Sequence, residues 1–165
     1  MDKKVAIVAN KLYVEDVLAA EEVRCTLPAI GFQTADVQAM GSLTLPLIGL
    51  LEHMEMSITQ IGLDKNTAVI NKLEKQTFEL RWAQEKATSD GSIVVEGCKA
   101  FLRTIPTAIP SVGIETGSAT ELEGTYSVSR YQLFVDGEEV LLVDRLANIL
   151  KINGKDYYDE VKSLL

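Results

Sequence analysis

One histidine, two cysteines and 24 carboxylate side chains are the residues of this 165-residue chain whose types could do chemistry. His53 has no serine or cysteine arranged beside it for a nucleophilic triad and no second imidazole for a metal site, so it reads as a structural residue at a strand start. Cys25 and Cys98 lie far apart without metal-ligand spacing and read as two reduced, buried thiols. The carboxylates are numerous enough to imitate a glycosidase pair, but their spacing favours solvated strand faces. Gly31, Gly41 and Gly49 lack the lysine and flanking pattern of a phosphate loop. Aromatics make up 6% and do not interleave with a basic patch, which argues against a single-stranded nucleic-acid platform. Trp82 falls among apolar neighbours and is expected in the core. Nothing here makes a positive case for an enzyme, a cofactor or a bound metal.

The totals narrow the class further. A formal net charge of −8 disfavours duplex DNA or an anionic membrane as a binding partner. The length suits one domain over residues 1–165, burying roughly 70% of its unfolded surface. The start, Met1-Asp2-Lys3-Lys4 and a brief apolar run, is too short for a signal peptide. No apolar run approaches the roughly 20 residues of a membrane span. The expectation is a soluble, acidic protein made in the cytoplasm.

The elements that must position these side chains are mostly strands. Thr77 to Arg103 is a long hairpin. In its first arm Phe78, Leu80 and Trp82 fall on one side, and Thr77, Glu79, Arg81 and Glu85 on the other, the period-2 mark of one buried and one wet face. Ser89-Asp90-Gly91-Ser92 supplies the reversal, and Ile93 to Arg103 returns. Val5–Val8 and Lys11–Val14 read as short β segments. Gln33–Ala39 alternates, with Asp36 on its polar side. His53–Gln60 alternates too, setting Met54, Met56 and Ile58 against Glu55, Ser57 and Thr59. Between those two, Met40 to Leu51 breaks the pattern with Gly41, Pro46 and Gly49. It reads as a greasy loop bearing Leu43, Leu45, Leu47, Ile48, Leu50 and Leu51. A loop of about twelve residues is uncommon in a compact domain, and one this apolar points to a protein partner or to folding back on its own core. Asp64 is a candidate N-cap for a helix over Lys65–Leu73 with an apolar stripe of Ala68, Val69 and Leu73. A loop over Pro106–Gly117 follows, then a strand over Glu121–Val135, an Asp136-Gly137 turn and a return over Glu138–Asp144. Asn153-Gly154 marks a last turn before a short helix in the tail. The class is mainly β, a sandwich or barrel of antiparallel strands with one short internal helix.

Several of these segments, in order, resemble the major tail tube proteins of contractile-tailed phages, which also occur in R-type bacteriocin particles. The resemblance rests on Tyr131-Gln132-Leu133-Phe134-Val135-Asp136-Gly137-Glu138-Glu139-Val140, continuing through Val143-Asp144 and Ile149 to Ile152-Asn153-Gly154. Thr26-Leu27-Pro28, Gly41-Ser42 running into Glu55-Met56-Ser57, Gly62 before the helix and the long hairpin add to it. Gly41 to Pro46 departs from the family's pattern. Two other readings stand beside this one: the tube of a type VI-like contractile secretion system, and a small-molecule-binding β-barrel.

The resemblance implies a structural protein of the virion tail. Its subunits form hexameric rings that stack into a hollow tube, each giving two hairpins to a shared inner β-barrel. Partners implied are other copies of the chain, a sheath protein outside, tape measure protein and DNA in the lumen, and baseplate and terminator proteins at the ends. On that reading Gln33–Ala39, Met54–Gln60, Thr77–Glu85 and Ile93–Arg103 are the inner strands. Asp36, Glu55, Glu79, Arg81 and Glu85 then face the lumen, while Leu43, Leu45, Leu47, Ile48 and Leu50 dock between subunits.

Overall fold

A computed structural model describes residues 1–165. Its strands are β1 (Lys3–Val14), β2 (Val17–Glu21), β3 (Arg24–Thr26), β4 (Phe32–Gln38), β5 (Ser42–Leu51) and β6 (Glu55–Ile61), followed by helix α1 (Asn66–Ile70). Then come β7 (Gln76–Ala87), β8 (Ile93–Ala108), β9 (Glu121–Val135), β10 (Glu138–Asp144), β11 (Ile149–Ile152), β12 (Lys155–Asp156) and helix α2 (Asp159–Ser163). The mainly β expectation holds, and every strand pair is antiparallel. No helix is long and apolar enough to cross a membrane.

The main sheet runs β12-β11-β10-β9-β8-β7-β1-β2. Strand β9 changes partner along its length on one edge: Glu121–Ser127 pairs with β6, and Arg130–Val135 pairs with β10. Strand β6 in turn carries β3, so the sheet branches and curls around one core. One row of side chains shows how the alternation builds that core. Val14, Phe78, Leu102, Tyr131, Val143 and Leu150 are successive cross-strand partners from β1 to β11, and all six are buried. Met54, Met56, Ile58 and Tyr126 close over them from the β6–β9 side. The Tyr126 ring meets Phe78 edge-on at 5.3 Å, and its hydroxyl donates to Asn71 Oδ1 at 2.8 Å. That bond ties the end of α1 into the core, where burial of the phenol raises its pKa.

Turn chemistry decides several boundaries. Asp136 (φ 51°) and Gly137 (φ 81°) both take positive φ, as do Asn153 (φ 50°) and Gly154 (φ 84°), the geometry a two-residue hairpin turn demands. The turn between β1 and β2 uses Glu15 (φ 48°) and Asp16 (φ 66°) instead. Non-glycine residues rarely sit there, and the Glu15 carboxylate compensates by accepting the Thr77 N–H at 2.8 Å.

Four expectations are corrected. Met40–Leu51 is not a loop: Ser42–Leu51 is strand β5, paired with β4 from Gln38↔Ser42 to Phe32↔Leu51. Val5–Val8 and Lys11–Val14 are one strand, β1, kept continuous by register shifts at Lys4/Ala6 and Ile7/Ala9. Strand β8 runs on through Pro106 to Ala108, past its last partner on β7 at Thr104, so the proline sits where β8 has β9 on one side only. Helix α1 is shorter than Lys65–Leu73 and buries Ile70, while Ala68 and Leu73 stay exposed. The N-cap is Lys65 rather than Asp64 and has no side-chain capping bond; the Asp64 carboxylate accepts the Asn66 N–H at 2.7 Å just before the helix.

Candidate assembly surfaces

The hairpin of β4 and β5 is a sheet of its own, and neither strand pairs with any other. Its register sorts the side chains. Ala35, Val37, Leu43 and Leu45 share one face, with Leu47 opposite Gln33; Thr34, Asp36, Thr44, Pro46, Gln38 and Ser42 share the other. Leu43 and Leu45 are each 44% exposed, Ile48 46% and Leu50 50%. A two-stranded ribbon is marginal alone in water, and an uncovered apolar face on it marks a surface that another molecule covers. Pro46 is tolerated because β5 has an open edge.

A second free-standing feature is the far end of the β1–β7–β8 layer. Strand β2 pairs only with Lys11–Val14, and β9 pairs β8 only from Cys98 onward. Lys3 to Ala9 and Ile93 to Glu96 therefore have β7 on one side and no strand on the other. Val5, Ile7, Val8, Ile93 and Val95 along these edges are 49–66% exposed. Open edges flanked by β-branched residues are templates for pairing with another chain. Glu96, which the sequence reading did not single out, holds this layer together. It is buried and accepts from Lys4 Nζ at 2.8 and 3.0 Å and from Gln84 Nε2 at 3.1 Å, with Lys86 Nζ at 3.2 Å. Hydrogen bonding from Lys4, then Lys86 and Gln84, pulls its pKa down to about 2.

The five residues expected on wet faces fare differently. Asp36 is exposed and accepts from Thr44 Oγ1 at 2.7 Å. Glu55 is exposed on β6, its Oε2 3.7 Å from His53 Nε2. Glu85 is half-buried between Ala6 and Val95 in register. Arg81 is exposed, its guanidinium 4.5 Å from the centre of the Tyr13 ring. Glu79 is corrected: it is buried, flanked in register by Tyr13 and Phe101, and accepts from Arg81 Nε at 2.6 Å. It lies on the face away from Phe78 and Leu80, but neighbouring strands cover it. That face is not predominantly acidic either. Lys11, Arg81 and Lys99 are successive cross-strand partners on β1, β7 and β8, and Lys99 lies over the rings of Phe101 and Phe134. The four strands expected to act together are spread out: β7 and β8 are adjacent, β6 reaches β8 only through β9, and β4 pairs only with β5.

The thiols are free; Cys25 is half-buried and Cys98 buried. Burial pushes Cys25 up to about 12 and also raises Cys98, so neither is an activated nucleophile.

An antiparallel β subunit with open strand edges and a detached apolar ribbon has the form of a building block that completes itself against its neighbours. The comparisons agree with that class. Residues 5–165 match the family model described as phage tail tube protein FII, and the chain belongs to that family. It is a structural tail tube protein, part of a phage tail or tail-like particle. Two solved structures share the fold. One is a chain from the PVC sheath-tube complex of an extracellular contractile injection system in the extended state (TM-score 0.52, 14% identity, covering 76% of this chain and 87% of that one). The other comes from the sheath/tube terminator of the same kind of system (TM-score 0.53, 12% identity, covering 79% and 96%). No curated protein matches the chain.

Proposed function

We propose that this tube protein assembles as hexameric rings stacked into the hollow inner tube of a contractile tail, with a non-enzymatic role. The observation that carries this reading is the pair of open edges on β1 and β8, together with the apolar face of the β4–β5 ribbon. Both are costly on a monomer and both vanish when copies close a ring and stack. Strands β1 and β8 each run antiparallel to β7, so they point the same way. Rotation about a ring axis preserves that direction, and a joint between β8 of one copy and β1 of the next would be parallel. Leu43, Leu45, Leu47, Ile48 and Leu50 would be covered by a neighbouring subunit.

Asp36, Glu55, Arg81 and Glu85 are proposed to lie toward the lumen, with Glu79 buried beside Arg81 on the same face of β7. With Lys11 and Lys99 beside Arg81, the β7 part of that wall is of mixed charge; Asp36 and Glu55 supply exposed negative charge that keeps a polyanion from adhering. Partners on this reading are the sheath outside, tape measure protein and DNA inside, and terminator and baseplate proteins at the ends. Synthesis would be in the bacterial cytoplasm. Negative-stain microscopy of the purified chain at high concentration tests it. Rings or stacked tubes are expected, and a compact monomer that persists even with baseplate components would overturn the reading.

A further inference from the structure

The β4–β5 ribbon leaves the body through two short segments, Gly31 before β4 and Glu52–Met54 after β5. The root is closed by the Glu52 N–H donating to the Gly31 carbonyl at 2.9 Å. No strand of the main sheet holds the ribbon's direction. Packing fills the root only in part: a cavity of about 230 Å³ lies there, lined by Gln33, Ile48, Leu50, Asn148 and Tyr158 among others. One side chain spans the gap. Arg145 Nη1 donates to the Glu52 carbonyl at 2.9 Å and Nη2 to the Leu51 carbonyl at 3.0 Å, a fork across two successive peptide units.

Arg145 is itself anchored. Its backbone N–H donates to the Ser129 carbonyl on β9 at 3.0 Å. The preceding Asp144 is buried, 3.6 Å from Arg130 Nε, and its carboxylate accepts the N–H groups of Leu146 and Ala147 at 3.1 Å. The clamp is therefore rooted in the main sheet and reaches the last residue of β5 and the one after it.

We propose that Arg145 is the positioning residue that sets the direction in which the β4–β5 ribbon projects, and so its register on a second copy of this chain. The inference rests on the reading of the ribbon as an inter-subunit contact. Arginine suits the task because its planar guanidinium presents two N–H groups in fixed relative geometry to adjacent carbonyls. Lysine offers a single swivelling ammonium and keeps only the charge.

Full-length Arg145→Lys and Arg145→Met chains test this against wild type with three measurements. Amide exchange at Glu52, whose N–H closes the root on the Gly31 carbonyl, should rise about tenfold, the order expected when hydrogen bonds to a charged donor are lost from the same segment, while β7 and β8 stay unchanged. Spin labels at Gln38→Cys and Ser118→Cys, in a background carrying Cys25→Ser and Cys98→Ser, should give one narrow distance in wild type and a broad distribution in both variants. The concentration needed for assembly should rise in both variants even though the melting temperature of the body is retained. Unchanged exchange with an unchanged distance distribution would overturn the proposal. So would a freed ribbon that assembles as wild type does. Failure of the wild-type chain itself to form tubes, with its ribbon still narrowly oriented, would sink the assembly reading and leave the clamp measured on the monomer.

Discussion

Glu79 and Arg81 stand two residues apart on β7, and Arg81 Nε lies 2.6 Å from Glu79 Oε1, with the guanidinium over the Tyr13 ring. The carboxylate is buried and the arginine is exposed, so the pair is a local charge neutralisation on the outward face of the sheet. Glu79 has one hydrogen-bond partner, and it comes from its own strand.

Removing the partner should therefore hurt more than removing the charge. Arg81→Ala leaves a buried carboxylate unpaired and should destabilise by ~1–3 kcal/mol in denaturant melts, whereas Glu79→Gln should cost less. Glu79→Lys would crowd a buried cation against Arg81 and should prevent folding. A stable, cooperative Glu79→Lys chain would show that the carboxylate is wetter than its position implies.

The charge proposed for the lumen is best probed at Glu55, which is exposed on β6. Glu55→Lys should leave melting within about 0.5 kcal/mol of wild type. In assembled tubes it should slow DNA passage, with the defect easing as salt rises. If bulky carboxylate reagents label Glu55 fully on intact, capped tubes, that side chain lies outside.

Acid should loosen the β1–β7–β8 layer through Glu96. Its folded-state pKa is depressed to about 2, below the roughly 4.3 of a free glutamate. The stabilisation is thus complete above about pH 4.3 and is lost as pH falls through the folded value. Glu96→Gln should lower stability at pH 7, and the gap between variant and wild type should close by about pH 2. Titrating both chains by circular dichroism checks this; a gap that persists at pH 2 would assign the loss to packing.

The ribbon separates folding from assembly. Leu45→Ser and Leu47→Ser should leave the monomer's melt nearly unchanged, since these side chains touch solvent, and should abolish polymerisation by uncovering less apolar surface to bury at roughly 25 cal/mol per Å². Loss of the cooperative melt would place those leucines in the monomer's own core.

Much of the fold was legible from residue types alone where a turn and a period agreed. Glu121–Val135 and Glu138–Asp144 are strands with the boundaries expected, because Asp136-Gly137 can take positive φ twice and alternation runs up to it on both sides. The Glu15-Asp16 turn was invisible by comparison, since neither residue favours that geometry without the Thr77 backbone to hold it. Strand β5 was hidden in another way. Its apolar residues occupy both faces once Ile48 and Leu50 follow Leu47, so no clean alternation marks it; pairing with β4 alone makes it a strand.

Period 2 tells a residue which side of its strand it takes, and for Phe78, Leu80 and Met56 that was enough to place them in the core. It does not tell which strand lies alongside. The pairing of β6 with β9 joins residues sixty or more positions apart, and the switch of β9 from β6 to β10 leaves no local trace in composition. The burial of Glu79 follows from Tyr13 and Phe101 on the neighbouring strands, and the fork of Arg145 on Leu51 and Glu52 from a chain reversal over ninety residues later. Local sequence encodes faces and turns because those depend on one backbone and its nearest neighbours. Strand order, open edges and the root of the ribbon depend on distant segments competing for the same hydrogen bonds, and only the folded chain decides that competition.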